Sequence, residues 1–211
     1  MALLEDIQDR VTRGKRKEVG PMVQQALDEG LDPQAILDSM IAGMDIIGDK
    51  FSKGEAFVPE MLVAARAMTA GTDVLKPALA SSGAEPLGNA VIGTVKGDMH
   101  DIGKNLVRMM IEGKGVEIDD LGVDVAPEAF VDYLKAHPEC QVLCLSALLT
   151  TTMASMKETI EAVEAAGLRD QVKIMVGGAP ITQEFADEIG ADAYTLDAGA
   201  AAEKIAELLS A

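Results

Sequence analysis

The sequence contains no tryptophan and only four phenylalanines and two tyrosines. Basic residues are also scarce. Lys plus Arg number 18 against 35 Asp plus Glu, a formal charge of −17. Affinity for phosphate backbones comes from Lys and Arg, so nucleic acid is not an expected partner. No apolar run approaches the roughly 20 residues of a membrane span. The longest candidate lies near Val142 to Leu149, and no membrane partner is expected. The opening MALLEDIQDR is acidic from Glu5 and lacks the basic-then-apolar pattern of a secretory signal. A cytoplasmic location is therefore expected.

Cysteine is nearly absent as well. Cys140 and Cys144 lie four residues apart in a segment that reads as a strand. At about 3.3 Å per residue they would be about 13 Å apart, too far for a disulfide, which needs roughly 7 Å or less. Both read as small buried residues. What the chain does have is apolar substance. Hydrophobic residues make up 48% of its 211 positions, enough to bury a core and to argue against disorder.

The two parts of the sequence carry different periodicities. Over residues 1–88, LLEDIQDRV, KEVGPMVQQALDEG, DPQAILDSMIAGMDIIGDKF and PEMLVAARAMTAGTDVLKPAL repeat apolar residues at helical spacing. Gly14, Gly30 and Lys53-Gly54 mark stops. Asp32 with Pro33, and Pro59 with Glu60, mark starts. Four helices with short connections predict an antiparallel four-helix bundle. SSGAEPLG (81–88) reads as a linker and a plausible hinge. From Asn89 to Ala211 strands alternate with helices. NAVIGTV, GVEIDDLG, CQVLCLSAL, VKIMVGG and ADAYTL read as five strands, interleaved with five helices. This predicts a Rossmann-like or flavodoxin-like, doubly wound, parallel five-stranded sheet. The charge is uneven: 9 − 14 = −5 over residues 1–88 and 9 − 21 = −12 over 89–211. Solvated helix faces account for that, and so does steering toward basic docking patches on partner proteins.

Ligands of such sheets bind beyond the carboxyl ends of the strands, where strand order reverses. With order 2-1-3-4-5, that point is flanked by GDMHDIGKN (97–105), SALLTTT (146–152) and GGAP (177–180). Of only two histidines, His137 precedes Pro138 at a helix end and reads as structural. His100 lies in a Gly-bounded loop two residues after Asp98. A metal-binding imidazole generally offers its second nitrogen's proton to a carboxylate, which Asp98 can supply. A satisfied loop histidine is the alternative. Gly97 and Gly103 allow close backbone approach to something large. One histidine is too few for a structural zinc site, which takes about four protein ligands. A metal carried by a macrocycle would need only one. Gly177-Gly178 offers a wall without side chains, or simply a turn. The phosphate-loop spacing G-x-x-x-x-G-K-[ST] is not met. No acidic pair sits at the first strand end as a phosphoacceptor site would require.

Together these residues resemble the corrinoid (vitamin B12)-binding family, whose pattern is D-x-H-x-x-G, then S-x-L, then G-G. Asp98, His100 and Gly103 form the first element. Forty-two residues separate Gly103 from Ser146, which with Leu148 forms the second. Twenty-eight more lead to Gly177 and Gly178. GMDIIGDKFSKGEAFVPEMLVAARAM (43–68) is similar to the helical cap found in methionine synthase and methylamine-type corrinoid proteins. The resemblance covers nearly the whole chain and implies a cap over 1–88 and a corrinoid domain over 89–211.

The resemblance further implies cobalamin or a related corrinoid, bound base-off/His-on, with His100 as lower axial ligand to cobalt. Asp98 would hold the imidazole, and Thr152 would continue the relay where the methionine synthases have Ser. Met99, Asp101, Ile102 and Gly103 would lie along the cofactor. Ser146, Leu148 and Thr150 would line the slot for the displaced base, Gly177 and Gly178 would flank the nucleotide tail, and Tyr194 and Ala198 would contact the cofactor from the last loop. Phe51 and Val58 match cap residues over the methyl-bearing face, or belong to the bundle core. The implied function is a methyl carrier, not catalytic alone, alternating between cob(I) and methylcob(III) states. Its implied partners are a substrate:corrinoid methyltransferase for an amine or betaine donor, a second methyltransferase using tetrahydrofolate or coenzyme M, and a reductive activase. A corrinoid sensor or regulator, a mutase subunit, and a small metal- or phosphate-binding α/β switch protein are the competing readings.

Overall fold

The computed structural model describes residues 2–82 and 86–210. Four helices come first: α1 (Ala2–Thr12), α2 (Arg16–Asp28), α3 (Pro33–Ser52) and α4 (Val58–Ser82). Their starts follow the sequence signals. The Asp32 carboxylate accepts the Ala35 N–H at 3.3 Å, capping α3 just before Pro33. Glu60 reaches back to accept the Phe57 N–H at 2.9 Å. Pro59 sits in the first turn of α4, where its missing N–H has no helical partner to lose. The apolar stripes meet: α1 packs on α3, α2 on α4, and α3 on α4. Ile7, Val11, Val23, Met40, Met61 and Leu75 are fully buried among them. The segment read as a linker begins later than expected. Residues 81 and 82 still belong to α4, because apolar spacing and good helix formers carry it past Pro77, and residues 83–85 lie outside the described residues.

The second part alternates strand and helix: β1 (Asn89–Thr94), α5 (Ile102–Glu112), β2 (Glu117–Asp120), α6 (Pro127–Ala136), β3 (Val142–Ser146), α7 (Met153–Ala165), β4 (Lys173–Gly177), α8 (Gln183–Glu188), β5 (Ala193–Thr195) and α9 (Ala198–Ser210). All pairings are parallel, in the order β2-β1-β3-β4-β5. The central strands are apolar through their middles, over residues 90–93, 142–145 and 174–176, because both faces are covered. Val91, Leu143, Leu145, Ile174 and Val176 pack with Phe130, Met156 and Ile160 from α6 and α7. Their neighbours Ile92, Val142, Cys144 and Met175 point the other way, against Ile111 and Ile205 of α5 and α9. The chain divides into two compact units, one ending at Pro86 and taking in Glu112–Gly115, the other starting at Leu87. Among the described residues no helix is long and apolar enough to cross a membrane.

Two local readings change. Helix α5 starts at Ile102 and not near Asn105, so the loop after β1 is shorter and Ile102 and Gly103 form the helix's first turn. Strand β3 starts at Val142, which leaves Cys140 outside the strand, though both cysteines are buried and free. Burial pushes the Cys140 thiol up to about 11 and the Cys144 thiol higher still, so both stay protonated and unreactive at neutral pH.

Candidate functional site

The switch point lies where β1 meets β3, with β2 on the far side of β1. Asp98 sits there with no exposed surface. One carboxylate oxygen accepts the His100 N–H at 3.0 Å and lies 2.7 Å from His100 Nδ1. The other accepts the Leu148 N–H at 2.7 Å, the Leu149 N–H at 3.3 Å and the Thr152 hydroxyl at 2.8 Å. Burial alone pushes this carboxyl up. The Leu148 and His100 N–H groups, the His100 ring and the Thr152 hydroxyl outweigh burial and hold it well below the usual carboxylate range. An ionised carboxylate can only accept. His100 therefore carries a proton on Nδ1, so in the neutral ring the lone pair is on Nε2, and half the side-chain surface is exposed.

Thr152, the hydroxyl that the resemblance puts next to Asp98, lies in the segment that opens the helix after β3, and its hydroxyl reaches the Asp98 carboxylate at 2.8 Å. A 3-10 turn over Thr150–Thr152 precedes α7, and no side chain caps that helix. The hydroxyl has two acceptors in reach, Asp98 and the Leu149 carbonyl at 2.9 Å, and one hydrogen to give. The charged acceptor makes the stronger bond.

Ser146 ends β3, paired with Thr94 on one side and Gly177 on the other, so the three sequence elements converge by strand register. Leu148 and Thr150 follow in the next loop, both exposed. Gly178 passes directly over β3: an added Cβ would sit 1.8 Å from the Ala147 carbonyl oxygen, and its φ is +132°. Gly97, with φ +82°, turns the chain out of β1. Gly178→Ala is expected to cost roughly 3 kcal/mol from strain and clash combined, read as a lower urea midpoint. An unchanged midpoint would contradict this geometry.

Several large apolar side chains beyond the carboxyl ends of the strands are exposed: Met99 68%, Ile102 81%, Leu149 41% and Leu196 83%. Large exposed apolar side chains at strand ends mark a surface that something else covers. Among the described residues no three His, Cys, Asp or Glu groups converge to hold a metal ion. A group bringing its own metal and needing one protein nitrogen fits this donor set, and a bare ion does not. Asp101 is exposed and accepts from the Asn105 amide at 3.1 Å. Tyr194 lies in β5, half-buried against the core, and Ala198 is buried at the start of α9. Phe51 and Val58 belong to the helical unit, Phe51 half-buried near the end of α3 and Val58 exposed at the start of α4, so Val58 is not bundle core. His137 is engaged elsewhere, stacked 4.2 Å from Tyr133 and 3.0 Å from a Glu139 oxygen.

Sequence reasoning passed over Lys104, which is 3% exposed and bonds Asp120 at the end of β2. Its signal was a lysine directly after Gly103, inside the first turn of a helix. The Leu148 and Leu149 N–H groups carry no side-chain signal at all.

Comparison with known proteins agrees with this geometry. The B12 binding domain family matches residues 88–206, and a second B12 binding domain family matches residues 3–76. A dimethylamine corrinoid protein of Methanosarcina barkeri is 42% identical over 211 residues, covering 99% of this chain and 98% of that protein. A trimethylamine corrinoid protein of Methanosarcina acetivorans is 42% identical over 206 residues, covering 96% and 94%. The methanol:cobalamin methyltransferase complex of Methanosarcina barkeri contains a chain with TM-score 0.86 and 27% identity, covering 99% of this chain and 80% of that one. The exposed imidazole on its buried carboxylate, the converging glycines and serine, and these matches over nearly the full length place the chain in the B12-binding family of corrinoid proteins.

Proposed function

We propose that this protein carries methyl groups on a bound corrinoid, receiving them from a methylated amine through one methyltransferase and yielding them to a second. The observation that carries the reading is His100, its Nδ1 held by a buried carboxylate and its ring half exposed to solvent. The corrinoid, when bound, supplies a cobalt centre that takes up a methyl group as Co(I) and gives it up from the methylated Co(III) state.

The chain's own residues do the rest. His100 Nε2 would be the protein nitrogen that holds the cobalt. Asp98 holds the Nδ1 proton and fixes the ring's orientation, and the Thr152 hydroxyl keeps the carboxylate turned toward it. Ser146, Leu148 and Thr150 would take up the cofactor's base, Gly177 and Gly178 its nucleotide tail, and Tyr194 and Ala198 would contact it from the last loop, with Met99, Asp101, Ile102 and Gly103 also among the residues that would hold it.

The amine assignment rests on relatives of equal identity that are named for dimethylamine and trimethylamine. The second methyltransferase would use tetrahydrofolate or coenzyme M, and a reductive activase would restore Co(I). The test is to load the protein with hydroxocobalamin, reduce it, and add dimethylamine, trimethylamine or methanol, each with its own corrinoid methyltransferase. Methylation by an amine pair, seen in the visible spectrum, is the expected result. Methylation with methanol alone would overturn the amine assignment, and failure to bind corrinoid would overturn the carrier.

A further inference from the structure

The loop that bears His100 has no helix or strand of its own between Val95 and Ile102, yet its backbone is held at three points. Gly97 donates its N–H to the Asp124 carboxylate at 2.7 Å. Asp124 donates its own N–H to the Asp98 carbonyl at 2.9 Å. The Thr94 hydroxyl, with no exposed surface, donates to the His100 carbonyl at 2.9 Å. Asp124 is, among the described residues, the non-glycine in the left-handed region, with φ +53°. Such a conformation persists when the surrounding structure holds it, and it clusters at functional sites.

The loop carrying Asp124 is braced in turn. Buried Lys104 pairs with Asp120, whose second oxygen accepts the Gly122 N–H at 2.8 Å. Gly122 accepts the Thr94 N–H at 3.0 Å, and Val95 bridges to Val125. The loop after β2 thus forms a mould into which the loop after β1 is pressed. None of these contacts touches the imidazole. They fix the backbone on both sides of Asp98 and His100, which side-chain contacts to Asp98 alone leave free to pivot.

We infer that Thr94 and Asp124 are positioning residues that preset the His100 loop for axial ligation before the corrinoid arrives. This rests on the reading of His100 as the cobalt ligand. An imidazole already held in place loses little freedom on binding, whereas a wandering loop must be ordered by the cofactor.

The test compares four variants with the wild-type protein, each loaded with diaquocobinamide, a corrinoid without a base of its own, so that any nitrogen ligation must come from the protein. Thr94→Val keeps shape and removes the hydroxyl, while Thr94→Ser keeps the hydroxyl. Asp124→Gly keeps the left-handed backbone at no steric cost and removes the acceptor, while Asp124→Asn keeps an acceptor oxygen and tolerates the conformation. Thr94→Val and Asp124→Gly are expected to weaken corrinoid binding about tenfold or more and to shift the visible spectrum away from nitrogen ligation. Thr94→Ser and Asp124→Asn are expected to restore both. The corrinoid-free forms should all melt within about 4 °C of wild type. Wild-type affinity and spectrum in Thr94→Val and Asp124→Gly would overturn the inference. So would a large drop in their melting temperature, which would assign these bonds to the fold's general stability. A wild-type protein without nitrogen ligation would overturn the His100 reading itself, and this inference with it.

Discussion

His100→Ala is expected to bind corrinoid at least tenfold more weakly and to shift its visible spectrum toward a form without a nitrogen lower ligand. The lone pair that the structure presents is Nε2 of this one ring, because Nδ1 is committed to Asp98 at 2.7 Å. Removing the ring removes the ligand while leaving every backbone contact of the loop in place: the His100 N–H still meets Asp98 and its carbonyl still meets Thr94. The fold should survive, since the side chain is half exposed and contributes little core. The space left also permits rescue. Free imidazole added to the variant is expected to restore the nitrogen-ligated spectrum and part of the methyl-transfer rate. An unchanged spectrum in His100→Ala would remove the axial-ligand assignment.

Asp98→Ala is expected to do more damage than His100→Ala, because Asp98 holds two loops together. Its carboxylate joins the loop after β1 to the amides of Leu148 and Leu149 and to Thr152, fifty or more residues away. Truncation removes the acceptor from the His100, Leu148 and Leu149 N–H groups and leaves the Thr152 hydroxyl only the Leu149 carbonyl, at about 1–3 kcal/mol for each donor that water does not reach. A stability loss of about 3 kcal/mol or more is expected in urea unfolding of the corrinoid-free protein, together with loss of ligation. Asp98→Asn is not a mild substitute. All the groups around the carboxylate donate, so whichever way the amide turns, its NH2 faces a donor.

The pH dependence has a definite sign. The folded carboxyl is held below its ordinary value, so its contribution to stability is complete above the unfolded pKa near 4 and is lost as pH falls through the lower, folded value. Wild-type stability is expected to fall below about pH 4–5. In Asp98→Ala the part of that fall due to this carboxyl should vanish. An equal acid slope in both proteins would contradict the assigned role of the carboxylate.

The sheet and its switch point were legible because apolar runs bounded by glycine and proline alternate with helical periods, and short parallel strands leave few other arrangements. His100 and Asp98 were legible because a two-residue offset in an extended loop puts both side chains on one side. The start of α5 was misplaced because Ile102 and Gly103 carry no cap signal, and a glycine in a first turn reads as loop. Thr152 was visible as a hydroxyl at the right spacing. Its bond to Asp98 depends on the β1–β3 register, which no local pattern encodes. The same holds for the Leu148 amide. Asp124 left only a weak trace, two residues after a glycine in a short loop, since its role is written in a backbone angle.

The central claim is that a histidine of this chain, and no base of the cofactor, is the lower ligand to cobalt. The chain has two histidines, and His137 is stacked on Tyr133 beside Glu139, away from the switch point. Protein labelled with 15N only at histidine, loaded with cobalamin and reduced to Co(II), tests this by electron paramagnetic resonance. Nitrogen splitting in doublets, from one 15N ligand, is the predicted result, disappearing in His100→Ala. Triplets, from the 14N of the cofactor's own base, would contradict it.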